Sequence, residues 1–301
     1  MNELYLEKLN EFFNKSILHE FSMFEINKSK TKLFVKRDDL IHNEFSGNKL
    51  RKLKFNFKAH SDNNCDGILT FGGAFSNHLL ATASACHYLN VPCVGIVRGD
   101  ELNESSNSLL KRCHELGMNL LFYSRSEFTK IKKNSGRFCL QGKEYWAVPE
   151  GGANQEGILG CREIVPKLDF EYVIVAQGST TTSLGILLEL TDTQKIIVVP
   201  VLKGFDSLLE MQNLLANNQL FENLKDKIIV LDQFHFGGYG KTNSELNEFV
   251  EMFNEMNDFV IEPIYTGKVI YALSQWLKSN GINENKKVLF VHTGGLFTFQ
   301  T

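Results

Sequence analysis

The sequence predicts an α/β protein of two lobes, each a mostly parallel, twisted sheet flanked by helices. The chain has 301 residues, more than one domain usually contains. Short apolar runs alternate with helical segments, the pattern of parallel strands joined by helices. The alternation stops at a polar, basic stretch over 130–142 and then restarts. We therefore expect a smaller lobe, residues 50–149, inserted into a larger lobe formed by residues 1–49 and 150–301.

The first half of the chain begins with a Phe-rich, partly helical arm over residues 1–30. Short apolar runs closed by glycine indicate strands, whereas apolar residues at helical spacing or a preceding N-cap residue indicate helices. In chain order, the predicted elements are strand 32–36, helix 50–60, strand 67–73, helix 76–89, strand 92–97, helix 105–116 and strand 118–123. Residues 130–142 are expected to form a surface loop.

The second half repeats this pattern after a glycine-dense turn over 150–157. A helix is expected from about residue 158, and a further helix ends near Leu190. The other predicted elements are strand 172–176, strand 195–199, helix 206–217, strand 227–231, helix 243–257, helix 267–279 and strand 287–292. Neither a repeat of fixed period nor a low-complexity tract is present.

Composition narrows the class of protein. The net charge of -3 and the pI near 6.3 give no basic footprint for nucleic acid. No apolar run approaches the ~18 residues of a membrane helix, and the acidic N-terminus does not read as a signal peptide. The six cysteines form no C-x-x-C pair and have no zinc-site spacing. We therefore expect a cytoplasmic protein that binds a small molecule, with no nucleic-acid, membrane or metal partner.

Lys49 is the first candidate for chemistry. It follows a glycine turn at 46–48 and begins a helical run. At a helix start, backbone N–H groups and the helix dipole disfavour the charged form of an amine, which is one way to prepare a lysine for Schiff-base chemistry. The alternative is a solvated lysine in a basic patch with Arg51, Lys52 and Lys54.

Residues 178–182 are a candidate anion site between a predicted strand and a helix. Four consecutive hydroxyls and the backbone N–H groups of a helix start suit a phosphate group. The five residues are Gly178, Ser179, Thr180, Thr181 and Thr182. The turn matches neither a P-loop nor the G-x-G-x-x-G pattern. The alternative is an ordinary polar turn whose hydroxyl caps the helix.

The loop after strand 67–73 repeats this arrangement in the first half. It presents Ser76, Asn77 and His78, which suit a substrate carboxylate and hydrogen bonds to a ring oxygen. Alternatively, Ser76 is only the N-cap of the next helix.

Three further candidates lie at a strand end or in turns. Thr293 follows the last predicted strand, and parallel α/β sheets bind ligands at the carboxyl ends of their strands. Tyr239 and Tyr265 lie in turn-rich segments, where tyrosine is more commonly a packing residue. No G-x-S-x-G motif is present, so a serine hydrolase is not expected.

Six segments, taken together and in order, resemble one family. They are Ser46-Gly-Asn-Lys49, Gly72-Gly-Ala-Phe-Ser-Asn-His78, Glu150-Gly-Gly-Ala-Asn154, Gly178-Ser-Thr-Thr-Thr182, Pro263-Ile-Tyr-Thr-Gly-Lys268 and His292-Thr-Gly-Gly295. The family is that of 1-aminocyclopropane-1-carboxylate (ACC) deaminase and D-cysteine desulfhydrase, pyridoxal-phosphate enzymes of the tryptophan synthase β-subunit type of fold (fold type II). The resemblance covers nearly the whole chain.

The resemblance implies a role for each candidate. Lys49 would bind pyridoxal phosphate covalently and then move a substrate proton, while residues 178–182 would hold the phosphate group. Asn77 would contact the ring hydroxyl. Ser76, with His78 and neighbouring N–H groups, would bind or activate the substrate. The larger lobe would bind the cofactor, and the protein would be a homodimer, as the family usually is.

Four more residues take their meaning from the family. Tyr239 and Tyr265 match its two active-site tyrosines. ACC deaminases have a glutamate where this chain has Thr266, at the pyridine nitrogen, and a leucine in the place of Thr293. A hydroxyl does not stabilise the protonated nitrogen, so the ring is a milder electron sink, which suits loss of a thiolate better than opening of a cyclopropane ring.

The sequence therefore favours α,β-elimination of D-cysteine to pyruvate, sulfide and ammonia. ACC deamination to 2-oxobutyrate and ammonia is the alternative enzyme activity, and a non-catalytic binder of a phosphorylated ligand is the alternative from another class. Two residues depart from the family pattern. Phe75 stands where both branches usually have glutamine, and Thr180 stands where glycine is common.

Overall fold

The computed structural model describes residues 2–23, 31–45, 47–165, 169–280 and 286–296. Ser46, which the sequence analysis placed in the turn before Lys49, lies outside them. The chain forms two compact units. Unit 1 comprises Met1–Lys15, Asp39–Cys161 and Gly294–Thr301, and unit 2 comprises Ser16–Asp38 and Arg162–Thr293.

These units differ in their boundaries from the predicted lobes. Four segments predicted for the larger lobe group with unit 1, namely residues 1–15, 39–49, 150–161 and 294–301. The helix that carries Lys49 packs against a helix over Gln155–Cys161. The two backbones approach so closely that a Cβ on Gly160 would lie 1.8 Å from the carbonyl oxygen of Arg51.

Each predicted strand and helix has a counterpart in the structure. The strands are β1 Leu18–Phe21, β2 Lys32–Arg37, β3 Gly67–Gly73, β4 Cys93–Arg98, β5 Asn119–Tyr123, β6 Gly136–Leu140, β7 Lys143–Val148, β8 Tyr172–Gln177, β9 Lys195–Pro200, β10 Ile228–Val230 and β11 Lys287–His292. The helices are α1 Asn2–Phe13, α2 Asn48–Asp62, α3 Asn77–Leu89, α4 Ser108–Glu115, α5 Arg125–Ile131, α6 Gln155–Cys161, α7 Thr181–Leu187, α8 Ser207–Leu215, α9 Asn218–Leu224, α10 Ser244–Met256 and α11 Thr266–Asn280. Of these, β1, β6, β7, α5 and α9 are additional to the predicted elements.

Unit 1 contains a five-stranded sheet in the order β5-β4-β3-β7-β6, parallel except for the β6–β7 pair. The central strand β3 is apolar and almost entirely buried, as expected for a parallel strand covered on both faces. It ends at Gly73, where the loop with Ser76 begins.

Unit 2 contains a six-stranded sheet in the order β1-β2-β11-β8-β9-β10, parallel except for the β1–β2 pair. Strand β11 lies between β2 and β8, and Val288 is in register with both Leu33 and Tyr172. Carboxyl ends of parallel strands share one edge of a sheet. Residues 178–182 follow β8 at this edge, and Thr293 follows β11.

The predicted α/β class with two mostly parallel sheets is confirmed. The prediction of a surface loop over 130–142 is wrong, because this stretch contributes β6 to an antiparallel hairpin. The hairpin turn is made by Gln141 and Gly142, which have φ of 52° and 78°; a positive φ at both positions matches the twist of paired strands. Among the described residues, no helix has the length and apolar character that crossing a membrane requires.

Candidate active site

Lys49 is the second residue of α2, whose start is set by Gly47. Gly47 has φ 64° and ψ −146°, a backbone region that glycine adopts readily and other residues avoid. The Lys49 side chain is half-buried, and Nζ donates a hydrogen bond to Oδ1 of Asn48 at 2.7 Å. The first turn of α2 has no acidic residue. The amine is therefore held at the positive end of the helix, as predicted.

The neighbours of Lys49 on α2 are not a solvated basic patch. Arg51, Lys52 and Lys54 are all buried, so this part of the alternative interpretation is wrong. The Arg51 guanidinium and the Lys54 amine lie 4.8 and 5.5 Å from the ring centroid of Phe13 on α1. Both cations are thus partly stabilised by an aromatic face.

Lys52, which the sequence analysis missed as a separate feature, lies one helical turn after Lys49. Its side chain is 1% exposed, and Nζ donates to the carbonyl oxygen of Gly151 at 3.0 Å. Burial lowers the pKa of Lys52 to about 8. Gly152 makes this packing possible, since a Cβ there would meet the Lys52 side chain at 3.1 Å and Cε1 of His78 at 3.4 Å. Sequence gives no signal for this burial, because α2 reads as strongly basic.

The side chain of His78 is buried. Nε2 lies 3.0 Å from Oγ1 of Thr70, whose hydroxyl donates to the carbonyl oxygen of Val148. Nε2 must therefore carry the proton of this pair. Burial first, and then the charges of Lys52 and Lys49, hold the pKa of His78 well below its usual value. The ring is neutral, and its acceptor atom Nδ1 has no hydrogen-bond partner within the described ranges.

Ser76 and Asn77 are half-buried at the start of α3. Ser76 is the N-cap, with its hydroxyl accepting from the N–H of Leu79 at a long 3.4 Å, so the capping role is observed. Gly72 allows this position, since a Cβ there would lie 2.7 Å from Oγ of Ser76. The amide nitrogen of Asn77 lies 3.4 Å from where a Cβ of Gly295 would be. Both residues are placed for a ligand at the carboxyl end of β3.

Residues 178–180 connect β8 to α7, and Thr181 and Thr182 are the first residues of α7. Gly178 and Ser179 are half-buried, whereas the three threonines are buried. The N-cap residue Thr180 makes no side-chain capping hydrogen bond. Oε1 of the fully buried Gln177 has no partner among the residues the structure describes. The backbone N–H groups and hydroxyls of such a turn are donors that can bind an anion.

Tyr239 and Tyr265 lie together within unit 2. Their rings pack edge to face, with centroids 5.8 Å apart and planes at 69°. The Tyr239 side chain is 51% exposed, and Tyr265 is half-buried. A Cβ on Gly178 would lie 3.1 Å from the Tyr265 ring. Unit 2 therefore brings both tyrosines to the predicted anion site.

Glu262 is a second residue that the sequence analysis missed. Its carboxyl group is buried and accepts hydrogen bonds from the backbone N–H groups of Ile264, Tyr265 and Thr266 at 2.7–3.1 Å. Burial raises the pKa of Glu262 to about 7, and these hydrogen bonds oppose the shift. A glutamate just before a helix start is a recognisable capping signal.

Thr266 is fully buried, and its hydroxyl is bound to Glu262. Oγ1 accepts from the N–H of Glu262 at 2.9 Å and lies 3.0 Å from a carboxylate oxygen of that residue. Thr293 is 7% exposed and directly follows β11, whose last residue, His292, bonds to the carbonyl oxygen of Val260 through Nε2. Both threonines are thus close to the edge where the strands of unit 2 end.

These residues match the groups of pyridoxal phosphate. A lysine amine at a helix start suits an aldehyde, an asparagine amide suits a ring hydroxyl, and a hydroxyl-rich turn at a helix start suits a phosphate. The unpartnered Oε1 of Gln177 and Nδ1 of His78 are further buried polar atoms beside these groups. This is a match between the chemistry of the side chains and the groups of pyridoxal phosphate, and it is made for the residues of each unit separately.

Known proteins resemble this chain along most of its length. Residues 18–294 match the family described as pyridoxal-phosphate dependent enzyme. The bifunctional mitochondrial D-cysteine desulfhydrase/ACC deaminase of Arabidopsis thaliana is 32% identical, over 88% of this chain and 73% of its own. The D-cysteine desulfhydrase of Klebsiella pneumoniae is 27% identical, over 87% of this chain and 86% of its own. The crystal structure of an ACC deaminase homologue has a TM-score of 0.77 at 21% identity, with 97% of each chain covered.

The two mostly parallel sheets and the likeness to solved structures show the fold, which is fold type II. The family model that matches residues 18–294 defines the class, a pyridoxal-phosphate dependent enzyme. The chain belongs to the family of pyridoxal-phosphate dependent enzymes. Membership of an enzyme family favours catalysis over the alternative of a non-catalytic binder of a phosphorylated ligand.

Proposed function

We propose that this enzyme eliminates sulfide from D-cysteine. One D-cysteine and one water would give pyruvate, hydrogen sulfide and ammonia: the Cα proton and the thiolate leave, and water then releases the nitrogen. The observation that carries the proposal is the residue after Tyr265. It is Thr266, whose hydroxyl is bound to Glu262, and no carboxylate extends from this position. A neutral group opposite the ring nitrogen suits a reaction with a good leaving group.

In this proposal, pyridoxal phosphate supplies the electron sink. Lys49 binds it and takes the Cα proton of the substrate, since its amine is held at the start of α2. The N–H groups and hydroxyls of residues 178–182 bind the phosphate group, and Asn77 donates to the ring hydroxyl. Thr266 and Thr293 complete the contacts with the ring.

The substrate is proposed to be held by Ser76, Asn77 and His78. The Ser76 hydroxyl and the N–H groups at the start of α3 suit a carboxylate. His78 is buried, so Nδ1 is the atom it can offer. Tyr239 and Tyr265 are proposed to meet the substrate side chain, where a phenol can hold or donate a proton near the leaving thiolate.

The test is keto-acid release by the cofactor-loaded enzyme from D-cysteine, L-cysteine and ACC in parallel. Pyruvate and sulfide from D-cysteine alone are expected. Lys49→Ala should abolish turnover and the visible absorbance of bound cofactor, whereas Lys58→Ala, an exposed lysine on the same helix, should keep both. An unchanged spectrum in Lys49→Ala would contradict the role of this lysine.

ACC deaminase is the second candidate, because the Arabidopsis relative is named for both activities. One ACC and one water would give 2-oxobutyrate and ammonia. Release of 2-oxobutyrate in the same assay, without pyruvate from D-cysteine, would establish this activity and overturn our ranking.

We also propose a cytoplasmic homodimer. No disulfide joins the six cysteines, all of which lie in the described ranges, and this suits a reducing compartment. The dimer rests on the usual state of the family. Cell fractionation and light scattering of the purified enzyme test the two statements, and a mitochondrial location, as named for the plant relative, or a monomer would contradict them.

A further inference from the structure

Lys268, in the first turn of α11, has a buried position that the proposed mechanism does not use. Its side chain is fully buried. Nζ donates to the carbonyl oxygens of His235 and Gly238, both at 2.9 Å. Lys268 therefore ties α11 to a loop that lies 30 residues earlier in the chain.

This loop, residues 235–241, contains three glycines. Gly237, Gly238 and Gly240 all have positive φ, at 92°, 118° and 68°, and glycine leaves the backbone many alternatives. Two backbone turns close the loop, and their acceptors are the carbonyl oxygens of His235 and Gly238. These are the same two oxygens that Lys268 binds. The amine thus holds the loop at its two closing points.

The loop carries Tyr239, half-exposed and packed against Tyr265. Tyr265 directly precedes α11, and its backbone N–H donates to the Glu262 carboxylate at 3.0 Å. The start of α11 thus holds both tyrosines: Glu262 binds the backbone of one, and Lys268 binds the loop of the other.

We propose that Lys268 is a positioning residue that sets the place of Tyr239 against Tyr265 through the two carbonyl oxygens of the loop. The inference rests on the proposed function in so far as the tyrosines meet the substrate. Burying an amine is costly, and an apolar side chain of the same volume would stabilise this site at least as well. Burial lowers the pKa of Lys268 to about 8. Such a residue is better explained by the geometry that it imposes than by stability.

The first test is amide hydrogen exchange of the cofactor-free protein. Lys268→Met keeps the side-chain length but removes the donor. We expect the amides of residues 235–241 to exchange about 10-fold faster or more, while those of β8 and β9 stay unchanged. The matched control is Lys227→Met, because Lys227 also binds a backbone carbonyl, that of Leu190 at 3.3 Å. Unchanged exchange of the loop in Lys268→Met would overturn the proposal.

The second test is turnover of the cofactor-loaded enzyme. Lys268→Met should lower kcat about 10- to 100-fold by misplacing Tyr239, while the absorbance of bound cofactor stays that of the wild type. If Lys268 acts through Tyr239, adding Lys268→Met to Tyr239→Phe should cost far less than it does in the wild type. Full additivity of the two losses would overturn the proposal.

Two further measurements apply if Lys268→Met does not fold or if the wild type shows no turnover. If Lys268→Met does not fold, Lys268→Gln replaces it, and the wild-type protein itself should show the Gly238 and Lys241 amides as protected as the first turn of α11. Exchange at the rate of an exposed turn would contradict the anchor. If the wild type turns over no amino acid, the proposed function fails, yet hydrogen exchange still decides the role of Lys268.

Discussion

Single ionisable side chains beside the candidate site residues have unusual surroundings. Lys52 and Lys268 are buried amines bound to backbone carbonyls, and Glu262 is a buried carboxyl bound to backbone N–H groups. Sequence reasoning placed Lys49 at a helix start because the signal is local: a glycine turn before a helix. It missed these three because burial depends on elements distant in the chain. Residue type and spacing do not reveal which lysine of a basic helix is covered.

Thr266 is the residue on which substrate choice is predicted to depend. In the proposed site, Thr266→Glu would place a carboxylate at the ring nitrogen and strengthen the electron sink, so the ratio of ACC to D-cysteine turnover should rise about 10-fold. Thr266→Ser is the matched control, because it keeps the hydroxyl that binds Glu262. Parallel keto-acid assays measure both, and an unaltered ratio in Thr266→Glu would show that this position does not select the substrate.

Helices and strands were the level at which the sequence was most informative. Predicted strand 67–73 coincides with β3, and strand 287–292 coincides with β11, because buried parallel strands are short apolar runs with sharp ends. The hairpin of β6 and β7 was missed, since its first strand is short and directly follows the polar, basic residues 130–135. The close packing of α2 on α6 was also not predicted, because a single glycine in a helix does not show which other helix it contacts.

Gly160 tests the packing of these two helices. Gly160→Ala sets a methyl group against the backbone of Arg51, where neither side can move independently of its helix. We expect a loss of about 3 kcal/mol in the free energy of unfolding, measured by urea denaturation. Leu159→Ala, on the same helix at a position that is 44% exposed, should change the free energy of unfolding by only about 0.5 kcal/mol. Equal losses in the two variants would contradict the close approach.

Burial of a charged amine lowers the stability of the whole molecule and makes that stability depend on pH. Unfolded chain holds the proton of a lysine up to its ordinary pKa of 10.5, whereas Lys52 in the folded state loses it at about 8. Between these values the unfolded state binds more protons, so the lysine's contribution to stability rises with pH in this window and is least favourable below it.

Lys52→Met tests this linkage. From about pH 8 to about pH 10, the free energy of unfolding of the wild type should rise relative to Lys52→Met by about 1.4 kcal/mol per pH unit. Taking the difference between the two proteins removes the titration of the groups they share. Lys58→Met is the control for loss of a lysine from α2. If the difference in the free energy of unfolding between the wild type and Lys52→Met stays constant across this range, the pKa of Lys52 is not lowered by folding, and the prediction is wrong.

The order of strands in unit 2 has a consequence for synthesis on the ribosome. Strand β11 follows every other strand of its sheet in the sequence, yet lies between β2 and β8. Until it emerges, the nascent chain holds two unpaired apolar edges, which can pair wrongly or recruit chaperones. The five-stranded sheet of unit 1 is complete by Val148. The sheet of unit 1 can therefore form during translation, whereas the sheet of unit 2 is completed only when its interior strand β11 has been made.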